Sequence, residues 1–268
     1  MAGDAPPPVA PEILAEIAAR LDRIEREHEV RILLAVESGS RAWGFPSPDS
    51  DYDVRFLYAH SLEWYLSIDR GRDVIELPIE DDLDINGWDM TKALKLLVKP
   101  NPVLLEWMES PIVYRQTPWV LGRLRQLADR SLHRHSGAYH YLHLAEGQYR
   151  RFIADKKSVG LKKYFYSLRP ALALSWMRRN PHGRVPMDMA ALLAGAEVPA
   201  DVRAFIDELV ERKRVTKELG GGPRIEALDR YIESEIAEAR TIRRPKAKRP
   251  AELIAGANAL LRDIVLAG

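Results

Sequence analysis

The sequence predicts an α+β protein in which an N-terminal half with strands and helices is followed by an all-helical C-terminal half. Short apolar or alternating runs typical of strands occur only before about residue 115. After about residue 117, apolar residues recur at helical spacing in long stretches that Gly-, Pro- and Arg-rich connectors separate. We therefore expect a disordered tail over residues 1–10, an α/β domain over 11–115 and a helical domain over 116–268.

The N-terminal domain is expected to begin with a helix, because Ile13, Ile17, Leu21 and Ile24 recur every three or four positions. Apolar or alternating residues predict strands, and turn residues separate them from short helices. The expected strands are RILLAVE (31–37), YDVRFLY (52–58), DVIELPI (73–79), LDINGWD (83–89) and PIVYR (111–115). The expected helices are SLEWYLSI (61–68), MTKALKLLVK (90–99) and VLLEWMES (103–110), with a short one in RAWG (41–44).

The C-terminal domain shows helical spacing throughout. We expect helices over residues 117–130, 136–157, 161–179, 200–219, 224–241 and 250–266. The basic segment RRPKAKRP (243–250) is interpreted as a solvated connector.

Charge is distributed unevenly along the chain. Residues 1–110 hold 22 Asp and Glu against 11 Lys and Arg, whereas residues 111–268 hold 17 against 29. An acidic front half is compatible with divalent metal binding and a basic back half with a polyanionic partner, although solvated helices of different charge explain the split equally well.

Composition also excludes several kinds of site and protein. The chain has no cysteine, which excludes disulfides, thiolate zinc sites and cysteine nucleophiles. No apolar run approaches the roughly 20 residues that cross a bilayer. The start, MAGDAPPPVA, lacks the basic and apolar regions of a signal peptide, so a cytoplasmic protein without membrane contact is expected.

Two aspartates lie one residue apart where the second expected strand begins, one directly before it and one within it. Asp51 and Asp53 (i, i+2) share one face of a strand, and two adjacent carboxylates repel each other unless a cation joins them. Mg²⁺ prefers such oxygen ligands and keeps waters and substrate phosphates. The pair Gly39-Ser40 follows the first strand, where a glycine lets a phosphate approach the backbone and a helix start favours an anion. Together, and in this order, the two motifs predict a phosphate site beside a metal site.

The combined motif resembles the DNA polymerase beta-type nucleotidyltransferase superfamily. Its signature is a Gly-[Gly/Ser] pair followed, after about 9–13 residues, by Asp-x-[Asp/Glu] between hydrophobic residues. Here Gly39-Ser40, ten intervening residues and Asp51-Tyr52-Asp53-Val54 match it. ESGSRAWGFPSPDSDYDVR (37–55), NGWDMTKALKLLVKPNPVLLEWMES (86–110) and KKYFYSLRPALALSWM (162–177) are similar to one branch, the RNA-repair-associated polymerase-beta family of predicted nucleotidyltransferases. The resemblance covers about residues 28–180 and implies a mixed sheet.

The resemblance implies a third carboxylate on a later strand. The candidates are Glu76, Asp82, Asp84 and Asp89; Asp84 is preferred, Glu76 is second, and Asp82 is expected in a solvated turn. Asp89 is expected to cap the helix that begins at Met90.

The resemblance also implies Mg²⁺ or Mn²⁺ held by Asp51, Asp53 and Asp84, with a nucleoside triphosphate (NTP) such as ATP as substrate. Gly39, Ser40 and Arg41 would contact its phosphates, although Ser40 could simply cap the turn and Arg41 could pair with Glu37. Three residues of one helix face would contact the triphosphate and the base: Lys162, Tyr166 and Arg169.

Other residues have simpler interpretations. Glu37 is expected to anchor the backbone of the loop, and Trp43 is expected to pack in a core. His140 and His143 have a spacing that zinc sites use, but packed or surface histidines are expected because no third ligand is apparent.

The predicted reaction transfers a nucleoside monophosphate to an acceptor hydroxyl and releases pyrophosphate. An RNA 3′ end, as in RNA repair, is the preferred acceptor; a protein or small-molecule hydroxyl is the alternative. A non-catalytic nucleotide-binding, RNA-binding or antitoxin-like protein on the same fold is the second hypothesis. The sequence predicts no oligomeric state.

Overall fold

The computed structural model describes residues 9–99, 101–130, 133–216, 219–242 and 251–267, with side chains of 131–136 left out. Most of the expected tail and the whole basic segment 243–250 lie outside the described residues. The strands are β1 (Arg31–Glu37), β2 (Tyr52–Ala59), β3 (Val74–Glu76), β4 (Leu83–Asp89), β5 (Val113–Gln116), β6 (Ser158–Gly160) and β7 (Gly221–Pro223). The helices are α1 (Pro11–His28), α2 (Leu62–Leu66), α3 (Met90–Val98), α4 (Pro102–Met108), α5 (Pro118–Arg130), α6 (His133–Phe152), α7 (Lys162–Arg179), α8 (Met189–Gly195), α9 (Ala200–Val215), α10 (Glu226–Ala239) and α11 (Ala251–Leu266).

The fold is α+β, as predicted, and the chain forms two compact units. The sheet unit contains, of the described residues, 9–42, 51–99, 101–130 and 251–267. The helical unit contains Trp43–Ser50 together with 133–216 and 219–242. Both units are therefore built from separate segments of the chain, whereas the sequence predicted one division near residue 115. Among the described helices, none combines the length and apolarity that crossing a membrane requires.

A mixed sheet forms the centre of the sheet unit, with strand order β3-β4-β2-β1-β5. β2 runs antiparallel to β1 and parallel to β4, and β3 and β5 are antiparallel neighbours at the two edges. The register of the parallel pair places Asp53 opposite Asp84. Because β2 and β4 run in the same direction, the residues that begin both strands lie at one edge of the sheet.

Helices cover the sheet because each has one apolar face. Ile17, Leu21 and Ile24 of α1 are buried against side chains of β1, β2 and β4, as their spacing predicted. α11 packs on α3 and α5, and it buries Leu253, Ala257, Leu260 and Ile264. The predicted division placed α5 and α11 with the C-terminal helices. Helical spacing identifies an apolar face but does not identify the surface on which it packs.

The helical unit is organised around α7, which is buried along most of its length and packs against α6, α8 and α10. Sequence reasoning missed α8 and the short antiparallel pair of β6 and β7. Each of these strands has only three residues, and β7 lies in the Gly-rich stretch that was interpreted as a connector.

The segment Trp43–Ser50 lies between Gly39-Ser40 and Asp51 in sequence and packs within the helical unit. Phe45 stacks on Phe165 with ring centroids 4.6 Å apart, and the buried Lys213 donates a hydrogen bond from Nζ to the Phe45 carbonyl oxygen at 3.0 Å. The prediction of a short helix over residues 41–44 was wrong. These residues form a turn that leaves Gly44 at a φ of +87°, and the two prolines that follow prevent helical continuation.

Candidate active site

Three carboxylates are found at the edge of the sheet where β2 and β4 begin. Asp51 is exposed and immediately precedes β2. Asp53 and Asp84 are register partners on the parallel strands, and their side chains retain 31% and 27% of their surface exposed. The sequence-predicted pair and its preferred third member therefore come from neighbouring strands of one unit, with partly shielded carboxylates that can still reach solvent.

Glu37 at the end of β1 fixes the backbone around these carboxylates. Its side chain is fully buried, and Oε1 accepts hydrogen bonds from the backbone N–H groups of Asp53 at 2.8 Å and Gly39 at 3.3 Å. Oε2 accepts a hydrogen bond from the Tyr114 hydroxyl at 2.5 Å. Glu37 thus anchors the loop backbone, as predicted. Burial, followed by the charge of Glu37, raises the pKa of Tyr114, which keeps this hydroxyl a donor.

Gly39 is required by the close approach of an aspartate. A Cβ atom at this position would lie 1.7 Å from Asp53 Oδ2 and 2.6 Å from Asp53 Cγ. A side chain here would therefore displace the Asp53 carboxylate. This contact links the Gly-Ser motif to the Asp-x-Asp motif.

Arg41 lies over the ring of Tyr52, with its Cζ 3.7 Å from the ring centroid. Its Nε donates to the backbone oxygen of Asp51 at 3.3 Å. Ser40 lies in the turn after β1 and is half-buried. Gly39, Ser40 and Arg41 thus belong to the same unit as the carboxylates. Phosphate binding by these three residues stays a prediction, and it now rests on a turn instead of a helix start.

Arg55 is a site residue that sequence reasoning missed. Its Nη2 donates to Asp53 Oδ1 at 3.1 Å and to Asp84 Oδ2 at 2.6 Å. The signal was available, because Asp53 and Arg55 are two residues apart on β2 and hence face the same side.

Burial dominates the electrostatics of Asp53. Desolvation raises its pKa from 3.8 to about 6; Arg55 opposes this shift, and the charges of Glu37, Asp84 and Asp51 add to it. Ionisation of Asp53 therefore lowers the stability of the metal-free protein, and an additional cation beside its carboxylate would reduce this loss of stability.

The other candidates for the third carboxylate differ from Asp84 in exposure or role. Glu76 is exposed on the edge strand β3 and pairs with Arg72 at 2.7 Å. Asp82 is exposed in the turn before β4. Asp89 is fully buried and caps α3 by accepting from the Thr91 N–H at 2.7 Å, as expected.

Lys162, Tyr166 and Arg169 all lie on α7, within the helical unit. Lys162 is exposed and Tyr166 is half-buried, but Arg169 is only 5% exposed. Arg169 and Tyr166 both contact Trp43, with the Arg169 Cζ 5.0 Å from its ring centroid and the Tyr166 centroid at 6.3 Å. Contact of these residues with a nucleotide stays a prediction.

The carboxylate oxygens of Asp51, Asp53 and Asp84 suit a hard divalent cation such as Mg²⁺ or Mn²⁺. Of these three residues, Asp53 and Asp84 are register partners on adjacent strands. Within the described ranges, however, no three Asp, Glu or His side chains converge closely enough to hold an ion. A cation would thus require rearrangement of these side chains. In the same described ranges, no metal-binding group forms around His140 and His143, and His143 is exposed.

Comparisons with known proteins agree with the resemblance. Residues 13–263 match the model of the RNA repair pathway DNA polymerase beta family. The uncharacterized protein YcgL of Bacillus subtilis (strain 168) is 45% identical over 221 residues, which cover 82% of this chain and 84% of YcgL. A crystal structure of a nucleotidyltransferase-like protein from Exiguobacterium sibiricum 255-15 is 15% identical over 95% of this chain and 92% of its own, with a TM-score of 0.26. A TM-score this low carries no weight for fold or function.

Proposed function

Because this chain belongs to the RNA repair pathway DNA polymerase beta family, we propose that it is a metal-dependent nucleotidyltransferase whose acceptor is an RNA 3′ end. The observation that carries the proposal is the register of β2 and β4, which pairs Asp53 with Asp84 beside the exposed Asp51. Carboxylate oxygens on adjacent strands can coordinate the divalent ions of a metal–triphosphate complex.

In the proposed reaction, the oxygen of the acceptor hydroxyl forms a bond to the α-phosphorus of the NTP. The bond from that phosphorus to the bridging oxygen breaks, and pyrophosphate leaves. Asp51, Asp53 and Asp84 would hold divalent ions, and Asp84 would help to remove the proton of the attacking hydroxyl. Bound ions polarise the phosphorus and neutralise the leaving charge. Backbone N–H groups at Gly39-Ser40, with the Arg41 guanidinium, would contact the departing phosphates.

A transfer assay tests the proposal. Each labelled NTP is incubated with Mg²⁺ or Mn²⁺ and with RNA that ends in a 3′-hydroxyl, the same RNA blocked by a 3′-phosphate, DNA, and a protein and small-molecule pool. We expect label on the unblocked RNA alone. Asp51→Asn and Asp53→Asn should abolish transfer, whereas Asp49→Asn, an exposed aspartate just before the pair, should retain it.

The alternatives give different results. If only a protein or a small molecule becomes labelled, the chain is a nucleotidyltransferase, but the proposal that RNA is its acceptor is wrong. Absence of transfer to every acceptor, with nucleotide binding that Asp51→Asn and Asp53→Asn leave unchanged, would indicate a non-catalytic nucleotide-binding protein.

A further inference from the structure

A guanidinium group lies between the two paired carboxylates of the candidate site. The Nη2 atom of Arg55 donates to one oxygen of Asp53, at 3.1 Å, and to one oxygen of Asp84, at 2.6 Å. Each carboxylate keeps a second oxygen, Asp53 Oδ2 and Asp84 Oδ1, that the guanidinium does not engage, but a cation shared by the two groups would lie beside the positive charge of Arg55. Arg55 therefore already supplies the shared positive charge that keeps the two aspartates together.

The backbone also holds this guanidinium in place. Nη1 donates to the carbonyl oxygens of Asp84 at 2.7 Å and of Val54 at 3.1 Å, and the side chain of Arg55 is only 15% exposed. Four acceptors in two strands thus fix its position. The planar guanidinium group is pre-organised for several hydrogen bonds at once, whereas the ammonium group of a lysine at this position would not be.

We propose that Arg55 is a positioning residue that competes with divalent cations for Asp53 and Asp84. It holds both carboxylates in the metal-free protein, and its charge opposes an ion that they would share. This inference rests on the proposed function. It explains why, in the described part of the chain, the aspartates lie together without forming a ready group of ligands.

The competition also provides a reason for metal and nucleotide to bind together. An ion alone must either bind beside the guanidinium charge or displace Arg55 from well-placed acceptors. The phosphates of a nucleotide offer the guanidinium new acceptors of the same chemistry, because arginine pairs with phosphate as readily as with carboxylate. Metal binding without nucleotide is therefore expected to be weak in the unmodified chain, and this weakness is expected to depend on Arg55.

The decisive measurement is the affinity for Mn²⁺ without nucleotide, by calorimetry or by electron paramagnetic resonance. Arg55→Gln removes the charge and keeps a hydrogen-bonding group, so it should bind Mn²⁺ at least about tenfold more tightly. Arg55→Lys keeps the charge but loses the planar group with its four acceptors, so its Mn²⁺ affinity should lie between those of the unmodified chain and Arg55→Gln. Arg115→Gln is the matched control: it changes net charge equally in the same sheet, but its arginine pairs with Asp22 and Glu25.

A second measurement does not depend on the folding of Arg55→Gln. In the unmodified chain labelled with ¹⁵N-arginine, the Nε–Hε resonance of Arg55, identified by its absence from Arg55→Lys, should shift on titration with Mg²⁺. The resonance of Arg115 should not shift.

Equal Mn²⁺ affinity of Arg55→Gln and the unmodified chain, or a stationary Arg55 resonance at saturating Mg²⁺, would overturn the competition even if the chain is an active transferase. Tighter Mn²⁺ binding by Arg55→Gln in a chain that transfers no nucleotide would support the competition and contradict the proposed function.

Discussion

Replacing Asp53 with asparagine is expected to stabilise the metal-free protein at neutral pH while abolishing the proposed activity. Burial, with the charges of Glu37, Asp84 and Asp51, raises the pKa of Asp53 from its ordinary 3.8 to about 6 despite Arg55. Because the folded protein binds this proton more tightly than the unfolded chain does, the ionised carboxylate costs stability. The cost is absent below pH 3.8, grows up to about pH 6 and stays constant above it. Asparagine has a similar shape and never ionises.

The difference between the two pKa values corresponds to about 3 kcal/mol, since each pKa unit is about 1.4 kcal/mol. The Asp53 side chain is 31% exposed, so solvent screens part of this cost. We therefore expect Asp53→Asn to gain about 2 kcal/mol at pH 8. For a chain of this size, that gain corresponds to a melting temperature higher by about 4–8 °C.

The assay is thermal unfolding in the presence of EDTA, at pH 4 and pH 8. The melting temperature of Asp53→Asn should exceed that of the unmodified chain at pH 8, and the two should converge at pH 4. Asp51→Asn is the matched control, because Asp51 is exposed, and it should differ little at either pH. A lower melting temperature for Asp53→Asn at pH 8, or a difference that does not change with pH, would refute this reasoning.

Three further perturbations test other contacts. Gly39→Ala should lower the free energy of unfolding by about 1–3 kcal/mol and abolish transfer, because its methyl group would overlap an aspartate carboxylate. Gly71→Ala, whose methyl group would make only an ordinary contact with Trp64 Nε1 at 3.9 Å, should behave like the unmodified chain in urea unfolding. Tyr114→Phe should cost about 1–3 kcal/mol in the same measurement by leaving a buried oxygen of Glu37 without its donor, and an unchanged stability would contradict the role of this hydrogen bond. Ending the chain before residue 251 should expose the surface that α11 covers, and increased binding of an apolar dye is the expected readout; unchanged dye binding would contradict it.

The sequence predicted local structure better than the relations between distant elements. The spacing of Asp51 and Asp53 predicted that they lie together at the start of a strand, although β2 begins only at Tyr52, and the cap of α3 followed from the position of Asp89. The pairing of Asp53 with Asp84 required the resemblance. It is a long-range strand contact, and nothing local to either strand determines its register.

Two other features were missed for different reasons. Arg55 could have been found from its spacing to Asp53, but a charged residue on a strand is usually interpreted as solvent-facing. The membership of α5 and α11 in the sheet unit could not have been found, because an apolar face of a helix fits many possible partners.

The position of α11 affects how the sheet unit can fold during synthesis. The sheet unit uses residues near both ends of the chain, and Asp263 of α11 pairs with Arg123 of α5 at 2.6 Å. The ribosome therefore synthesises the last helix of this unit only after the described residues 133–216 and 219–242 of the helical unit. Until then, the apolar surfaces of α3 and α5 lack their cover, and a nascent chain stalled before residue 251 is expected to engage chaperones that bind exposed apolar surface.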